Sequence, residues 1–413
     1  MTLLSDDLMA PAVMRDPHGY YRGLREVDPV HWNATWGGWV LTRYEDVVRV
    51  LRDAARLSSD RMSYLERELD PERRAGLEPI FRILSRWMVF ADPPLHTRLR
   101  LLLNPLFSRT AVERFRPMVR RIVRQELDAL AGKGQMEVVR DFAYQIPMGV
   151  ILELMNAQHL DRERIKAWSE QLGTFFFIRA DEPRRREIAV EGVNQLVAHL
   201  EPLIAERRAH RGEDLVSILL NAEDQGHLEP DDVLSTCVLL VFGGHETTMN
   251  LIANGTRALA EHPDQWARWA ADPALAPSAV EELLRYDGSV KTTVRWAREP
   301  FSLGDKEIAA GDRLLVGLSA ANRDPAQFAD PDHLDLGRSP NHHVAFAHGI
   351  HVCLGAALAR MEAQEAMTAL CSAIPCPRIT AAELDYHPSV IGRALQALPV
   401  AWSQAPAIPR SLP

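Results

Sequence analysis

The chain has 413 residues, of which 46% are hydrophobic and 25% are charged. Its 47 basic and 56 acidic residues give a formal net charge of −9, which argues against a general nucleic-acid binder, because affinity for a phosphate backbone needs clustered Lys and Arg. The cysteines are too few for a disulfide scaffold and fit a reducing compartment; they are Cys237, Cys353, Cys371 and Cys376.

The amino-terminal segment is acidic and lacks the basic stretch and apolar run that a secretory signal requires. No run of about 18 consecutive apolar residues occurs, so the sequence predicts no membrane-spanning helix. We therefore expect a cytoplasmic protein.

Hydrophobic spacing predicts a mainly helical chain with a few short strands. The predicted elements, in chain order, are a strand over 38–42, helices over 110–131, 160–179, 186–209 and 231–262, a strand over 313–317 and a helix over 355–373. Residues 286–354 are rich in turn signals, and so long a loop region is typical of a functional segment. No repeat or Gly/Ser linker divides the chain, which predicts one domain over 1–413 with a loose tail from about 404.

His96 and Arg100 follow Pro93-Pro94 and are spaced four residues apart, so they project from one face of a helix. Two such donors suit an anionic group. A solvated helix face is the alternative at this point.

The predicted helix over 231–262 contains Gly243-Gly244-His245-Glu246-Thr247-Thr248. Each interior glycine costs about 1 kcal/mol relative to Ala, which favours a bent helix that makes room for a ligand. A zinc-protease motif would need a second His four residues after His245, but position 249 is Met.

Cys353 lies between a glycine-containing loop and the apolar helix over 355–373. Backbone N–H groups at a helix start and the helix dipole stabilise a thiolate there. Gly349 and Gly355 would allow a tight turn and close approach to a flat ligand. Without further context, a buried structural cysteine is the alternative.

The segment Phe346-Ala347-His348-Gly349-Ile350-His351-Val352-Cys353-Leu354-Gly355 resembles the haem-binding loop of the cytochrome P-450 superfamily, Phe-x-x-Gly-x-His-x-Cys-x-Gly. All five specified positions match. The resemblance implies that Cys353 is the axial thiolate ligand of iron in haem b. Ala347 departs from the family, which usually has Gly there, and we expect altered local packing without loss of the ligand.

Other family elements occur in the same order along the chain. The resemblance implies that haem propionates are bound by a set of four residues, His96, Arg100, Arg295 and His351. It assigns Glu282 and Arg285, with Arg338, to a structural network, and it implies that Thr247 hydrogen-bonds dioxygen while Glu246 helps to deliver protons.

The implied fold is mainly α with a minor β-rich part: a triangular single domain with haem between the helix carrying Thr247 and the helix after Cys353. The implied function is a monooxygenase that hydroxylates or epoxidises a mainly apolar small molecule, using dioxygen and electrons from a separate ferredoxin and ferredoxin reductase. Its substrate would be a secondary metabolite such as a polyketide, terpenoid, peptide or fatty acid. A haem-thiolate protein that binds ligands without turnover is the second function class.

Six arginines and one acid between positions 109 and 124 give a local charge of +5; they are Arg109, Arg114, Arg116, Arg120, Arg121, Arg124 and Glu113. This segment is a candidate docking surface for an acidic ferredoxin, with a solvated helix face as the equal alternative.

By analogy the substrate pocket is lined by apolar and small side chains, namely Met62, Trp87, Met88, Phe175, Phe176, Phe177, Leu240, Val290 and Thr293. Lys291 is a charged residue in this set, and we expect it to point to solvent rather than to an acidic substrate group. A zinc site is the other metal-binding alternative; its candidate ligands are His342, His343, His348, His351 and Cys353.

Overall fold

Helices make up most of the structure, a computed structural model that describes residues 5–176 and 184–403. The α-helices are α1 (Pro11–Arg15), α2 (Pro17–Val27), α3 (Tyr44–Arg52), α4 (Arg61–Arg67), α5 (Pro71–Gly76), α6 (Glu78–Leu84), α7 (Leu95–Leu103), α8 (Arg109–Glu113), α9 (Arg116–Leu130), α10 (Gln145–Leu154), α11 (Arg162–Gly173), α12 (Arg185–Ala209), α13 (Leu215–Asp224), α14 (Pro230–Ala260), α15 (Pro263–Ala271), α16 (Ala276–Asp287), α17 (Leu318–Ala321) and α18 (Ala356–Ala373). Short 3-10 helices cover Met88–Phe90, Pro273–Leu275 and Gly349–His351, and a π-helix covers Val139–Ala143. Within the described part of the chain, no helix has the length and apolar content needed to cross a bilayer.

The strands form a minor β-rich part. They are β1 (Val30–Asn33), β2 (Gly38–Leu41), β3 (Leu57–Ser58), β4 (Gln135–Glu137), β5 (Thr292–Ala297), β6 (Phe301–Leu303), β7 (Lys306–Ile308), β8 (Arg313–Gly317), β9 (Arg378–Ile379) and β10 (Pro399–Ala401). The largest sheet has the order β1-β2-β8-β5-β3, and smaller sheets join β4-β10-β9 and β6-β7. The two predicted strands are β2 and β8, which pair in parallel with Val40 opposite Leu315.

The mainly helical class is confirmed, but two predicted helices differ in extent. The segment 110–131 is divided into α8 and α9, because Pro117 lies in the first turn of α9 and starts a new helix. The helix predicted over 160–179 is α11, which ends at Gly173. The last residues of that prediction, like the predicted tail over 404–413, lie outside the described residues.

The start of α14 fixes its position relative to α7. Asp232 closes a capping box by accepting a hydrogen bond from the Glu229 N–H at 3.0 Å. The same buried carboxylate binds Arg86 at 2.6 Å and Arg98, on α7, at 3.0 Å. The helix that carries His96 is therefore tied to the helix that carries Thr247.

Glu282 and Arg285 form a fully buried ion pair on α16. Two Arg285 nitrogens donate to the two Glu282 carboxylate oxygens at 2.7 and 2.8 Å, and Arg338 Nε donates to both oxygens at 3.1 Å. Arg285 also donates to backbone carbonyls of the long loop region, those of Asn322, Pro331 and His333. The geometry agrees with a structural role, because this network holds the chain between β8 and the Cys353 loop against α16.

Glu282→Ala should lower the free energy of unfolding by about 3–5 kcal/mol, because it leaves the Arg285 guanidinium buried without a carboxylate. Urea denaturation followed by circular dichroism measures the change. Arg338→Ala, which keeps the inner pair, should cost less.

The matched control is Glu187→Ala, whose side chain is 70% exposed and pairs with Arg184. Its effect should stay within about 0.5 kcal/mol. Equal losses in Glu282→Ala and the control would contradict a stabilising role for the buried network.

Candidate active site

The loop that carries Cys353 is held in a fixed path by its backbone. Its hydrogen bonds run from Ala347 N to Val344 O (2.9 Å), from Val352 N to Gly349 O (3.2 Å) and from Cys353 N to Phe346 O (2.9 Å). Gly349 has φ +73°, and a Cβ at this position would lie 2.3 Å from the carbonyl oxygen of Leu51 on α3. Only glycine fits there, so the loop is seated directly against α3.

Ala347, the residue that departs from the family pattern, also has a left-handed backbone, with φ +59°. A glycine adopts this conformation without the steric cost that a Cβ imposes. The Ala347 methyl packs beside the hydrophobic cluster under the largest sheet, which partly offsets that cost.

Cys353 is exposed, yet protein surrounds its sulfur closely enough that desolvation raises the thiol pKa. A hydrogen bond from the Gly355 backbone and the positive charges of Arg100 and Arg360 act in the opposite direction. A Cβ at Gly355, two residues after Cys353, would meet no atom within 4 Å, so there is open space at the start of α18. The backbone hydrogen bond and the two arginine charges favour the thiolate form that a metal ligand needs, although desolvation outweighs them.

Arg360 is held in place by a carboxylate that the sequence motifs did not single out. Arg360 donates to the Glu281 oxygens at 2.6 and 2.9 Å, and His343 lies 3.0 Å from the same group. Burial raises the pKa of Glu281, but the hydrogen bonds from His343 and Arg360 outweigh it and hold the pKa at about 2. Because the partners come from distant segments, adjacency to Glu282 was the only sequence signal for this residue.

Four positive or hydrogen-bonding groups predicted to act together do meet beside the Cys353 loop. The His96 and His351 ring centroids are 4.3 Å apart, and Arg100 Nη1 donates to the Val352 carbonyl at 2.6 Å. Arg295 is buried on β5. Burial and the charges of Arg295, His96 and Arg100 lower the pKa of His351 to about 3.

No carboxylate of the described residues forms an ion pair with this group. The charge of Asp92 acts on Arg295 and on both histidines, but the Asp92 oxygens are already engaged by Ser58, the Ser59 N–H and Arg298. Burial lowers the pKa of Arg295 to about 10, and His96 Nε2 is buried without a hydrogen-bond partner in the described structure. A bound dianion would supply the missing acceptors and negative charge.

Glu246 and Thr247 lie in the middle of α14, which stays α-helical through both glycines. Thr247 Oγ1 donates to the Gly243 carbonyl at 3.0 Å, and the Thr247 carbonyl accepts from Ser289 Oγ at 2.5 Å. Because its proton is engaged, the Thr247 hydroxyl presents acceptor lone pairs to its surroundings.

Desolvation, aided by the charge of Glu170, raises the pKa of Glu246 to about 8. This carboxyl is therefore a proton donor near neutral pH. The adjacent His245 is held in its neutral form instead. Its Nδ1 lies 2.6 Å from the Val241 carbonyl, and burial lowers its pKa to about 4. It is a buried neutral histidine that packs on Tyr144.

An aromatic cluster surrounds Phe242, which lies on α14 about one helical turn before Glu246. Its rings are Trp87, Phe90, Phe176 and Phe242, with neighbouring centroids 5.4 to 5.9 Å apart. Met62, Met88 and Leu240 of the predicted lining are buried in the same core, whereas Phe177 lies outside the described residues. The cluster provides an apolar wall.

The prediction that Lys291 points to solvent is wrong. Lys291 is buried, and its Nζ donates to the Ser389 carbonyl at 2.6 Å beside the Met14 sulfur. Desolvation, with the charge of Arg393, lowers its pKa to about 7. The carboxy-terminal segment and α1 cover this position, which no local sequence pattern shows.

The basic segment is less positive in the folded chain than its own residues suggest. Arg116 and Arg120 bind Glu365 on α18, and Arg121 binds Glu153 on α10 at 2.5 Å. Two acids from other elements thus offset part of the local +5.

The zinc alternative is not supported, because the described residues contain no cluster of three or more potential His, Cys, Asp or Glu ligands. His343 is paired with Glu281, and His348 contacts Arg52 at 3.1 Å.

Comparison with known proteins identifies the family. The cytochrome P450 family description matches residues 65–271 and 274–373. The chain is 37% identical to cytochrome P450 monooxygenase PikC of Streptomyces venezuelae, over 94% of this chain and 91% of that protein. It is 33% identical to polyketide biosynthesis cytochrome P450 PksS of Bacillus subtilis (strain 168), over 94% of this chain and 96% of that protein.

The fold is also similar to that of solved family structures. A crystal structure of P450BioI in complex with hexadec-9Z-enoic acid ligated acyl carrier protein superposes with a TM-score of 0.87 at 33% identity, covering 95% of this chain and 100% of that chain. The chain therefore belongs to the cytochrome P450 family. It is an oxidoreductase of the monooxygenase class, with relatives in secondary metabolism and fatty-acid chemistry.

The family implies a haem-thiolate iron cofactor, and the residues present fit it. The cluster of His96, Arg100, Arg295 and His351, which includes the unpartnered His96 Nε2, suits two propionates, and the open space at Gly355 leaves room at the start of α18.

Ala347→Gly should raise the free energy of unfolding by about 0.5–1 kcal/mol, because glycine relieves the left-handed strain while losing only a half-buried methyl. Thermal or urea denaturation of the haem-loaded protein measures the change. Ala359→Gly, inside α18, is the matched control and should lower stability by about 1 kcal/mol. A loss of stability in Ala347→Gly equal to that of the control would show that the methyl contact outweighs the strain.

Proposed function

We propose that this chain is a cytoplasmic monooxygenase that binds haem b and hydroxylates or epoxidises a mainly apolar secondary metabolite. Dioxygen is the oxidant, and a separate ferredoxin with its reductase supplies the electrons. The observation that carries the proposal is the meeting of four positive or hydrogen-bonding groups, which form no ion pair among the described residues, beside the loop of an exposed cysteine. The raised-pKa acid and the apolar wall on α14 support it.

The chain offers side chains for both the iron and the acid groups of the cofactor. Cys353 would supply the axial thiolate, and the propionates would be bound by His96, Arg100, Arg295 and His351. When bound, thiolate-ligated haem activates dioxygen for insertion of one oxygen atom into the substrate.

The chain's own residues control protons in this reaction. Glu246 carries a proton at neutral pH and can release it into the site, because burial raises its pKa and the charge of Glu170, on α11, adds to that effect. Thr247 Oγ1, whose own proton is donated to Gly243, is left with lone pairs that can accept a hydrogen bond from a protonated group beside it. The Glu246 carboxyl and the Thr247 hydroxyl thus provide a proton donor and a hydrogen-bond acceptor on successive residues of α14.

The apolar wall and the relatives narrow the substrate. Four stacked or tilted aromatic rings bind an extended or ring-containing hydrocarbon body better than a polar one. The relatives include a cytochrome P450 of polyketide biosynthesis, PksS, and P450BioI, which is in complex with an acyl carrier protein that bears hexadec-9Z-enoic acid. Polyketides and fatty acids are thus the favoured classes among the four considered.

The electron donor would dock near α8 and α9. Arg109 and Arg114 are exposed there and carry no described ion pair, whereas Arg116 and Arg120 are neutralised by Glu365. Leu101, 70% exposed on α7, adds an apolar contact next to Arg100. A ferredoxin with acidic side chains around an apolar centre matches this surface.

The reduced protein with carbon monoxide should show the red-shifted Soret band of thiolate-ligated haem, and Cys353→Ala should abolish it while Cys371→Ala keeps it. With a surrogate ferredoxin, its reductase and a long-chain substrate, the wild-type protein should form an oxygenated product. A normal band with no product across a compound library would favour the non-catalytic ligand-binding alternative.

Product formed per reductant consumed should be high below pH 8 and fall as pH rises through about 8, because Glu246 then loses the proton that it donates. Glu246→Gln should give a low ratio that is independent of pH. In the control variant Glu170→Gln, the ratio of product to reductant should fall at a lower pH than in the wild-type protein. The variant removes a charge that contributes to the raised pKa of Glu246. An unchanged profile in Glu246→Gln would remove this residue from proton delivery.

A further inference from the structure

Arg61, the first residue of α4, has a guanidinium group with an unusual environment. The group lies 5.5 Å from the centroid of the Phe176 ring. Within the described ranges, the Arg61 side chain makes no hydrogen bond and no ion pair with a carboxylate. The residue is only partly exposed and is mostly covered by protein, so water does not fully replace these partners.

Neighbouring arginines have the hydrogen-bond acceptors that Arg61 lacks. Arg56 is bonded to Asp53 at 2.6 Å, and Arg313 donates to the Gly37 carbonyl at 3.0 Å. Burial and the charge of Arg313 together lower the pKa of Arg61 to about 10, with no acid acting against them. Arg61 still carries its charge at neutral pH, so a desolvated cation faces the aromatic wall without a counter-ion.

A series of ring contacts links this cation to the helix that carries the proposed catalytic pair. The Phe176 ring, over which the Arg61 guanidinium lies, is 5.7 Å from the Phe242 ring between centroids. Phe242 is on α14, four residues and therefore about one turn before Glu246, so these two side chains project from the same face of the helix. An elongated molecule that contacts Arg61 and both rings therefore extends towards the helix face that carries Glu246.

We propose that Arg61 binds a carboxylate on an otherwise apolar substrate, anchoring the acid end while the distal hydrocarbon end is oxidised. The inference rests on the proposed function, and it narrows the substrate to amphipathic carboxylic acids. A carboxylate matches a guanidinium in geometry and charge, and its two oxygens would supply the missing acceptors. The aromatic rings would contact the hydrocarbon chain of the substrate through their apolar faces.

The test compares acids with alcohols of the same chain length, because the two probes differ only at the end that Arg61 would hold. Dodecanoic, tetradecanoic and hexadecanoic acids and the corresponding 1-alkanols are titrated into haem-loaded protein at pH 7.4. Binding is followed by the shift of the ferric Soret band and, independently, by calorimetry. The wild-type protein should bind at least one acid about tenfold or more tightly than its alcohol.

Arg61→Gln should weaken binding of that acid about tenfold or more and leave the alcohol within about twofold. Arg61→Lys should restore part of the preference, since it keeps the charge but not the planar fork. Arg67→Gln is the matched control on the same helix; Arg67 is exposed over Tyr64, and the variant should leave both affinities unchanged.

Three results would overturn the proposal: equal binding of acid and alcohol by the wild-type protein, equal weakening of both by Arg61→Gln, or no binding of any acid in the series. The carbon monoxide spectrum keeps these outcomes separate from a failure of the proposed function. A wild-type protein without the thiolate band would refute the haem assignment, whereas calorimetry would still report whether Arg61 selects carboxylates.

Discussion

The buried carboxylate of Glu282 is the interaction on which the rest of the site depends. It gathers two guanidinium groups that also bind the carbonyl groups of the long segment after β8. That segment leads directly into the Cys353 loop, which Gly349 presses against α3. A charge network with no access to water holds its geometry more strictly than apolar contacts alone, because each unpaired member would be left buried. The thiol is thereby presented at a fixed place beside an open space.

Among the described residues, two places at the proposed site hold positive charge that forms no ion pair, and they suit different ligands. Burial lowers the pKa of Arg295 and, together with the neighbouring positive charges, that of His351; this cluster beside the Cys353 loop suits the two acid groups of a cofactor. Arg61 is a single cation against an aromatic ring, and it suits one acid group on an apolar body. Between them lies α14, with a protonated acid and a hydroxyl acceptor. If the proposals above hold, α14 would carry the proton source between the two acid-binding places.

Much of this was predictable because the relevant signals are local. Helical spacing predicted α12, α14 and α18 to within two residues at each end, and the two β-strands to within one. The errors have two physical causes. Pro117, a local signal inside the segment 110–131, divides one predicted helix. The burial of Lys291 by the carboxy-terminal segment and α1, and the pairing of the basic segment with Glu365 and Glu153, depend on partners far away in the chain, which no local pattern reveals.

The sequence by itself determined the chemistry: a cysteine loop of defined spacing, an acid followed by threonine in a glycine-containing helix, and an acidic chain with no apolar run long enough for a membrane. These are properties of neighbouring residues, which covalent spacing fixes. Only the tertiary structure decided which charges remain uncompensated. Whether an arginine such as Arg61 finds a carboxylate depends on segments that meet in space, and its lack of one is what points to the substrate.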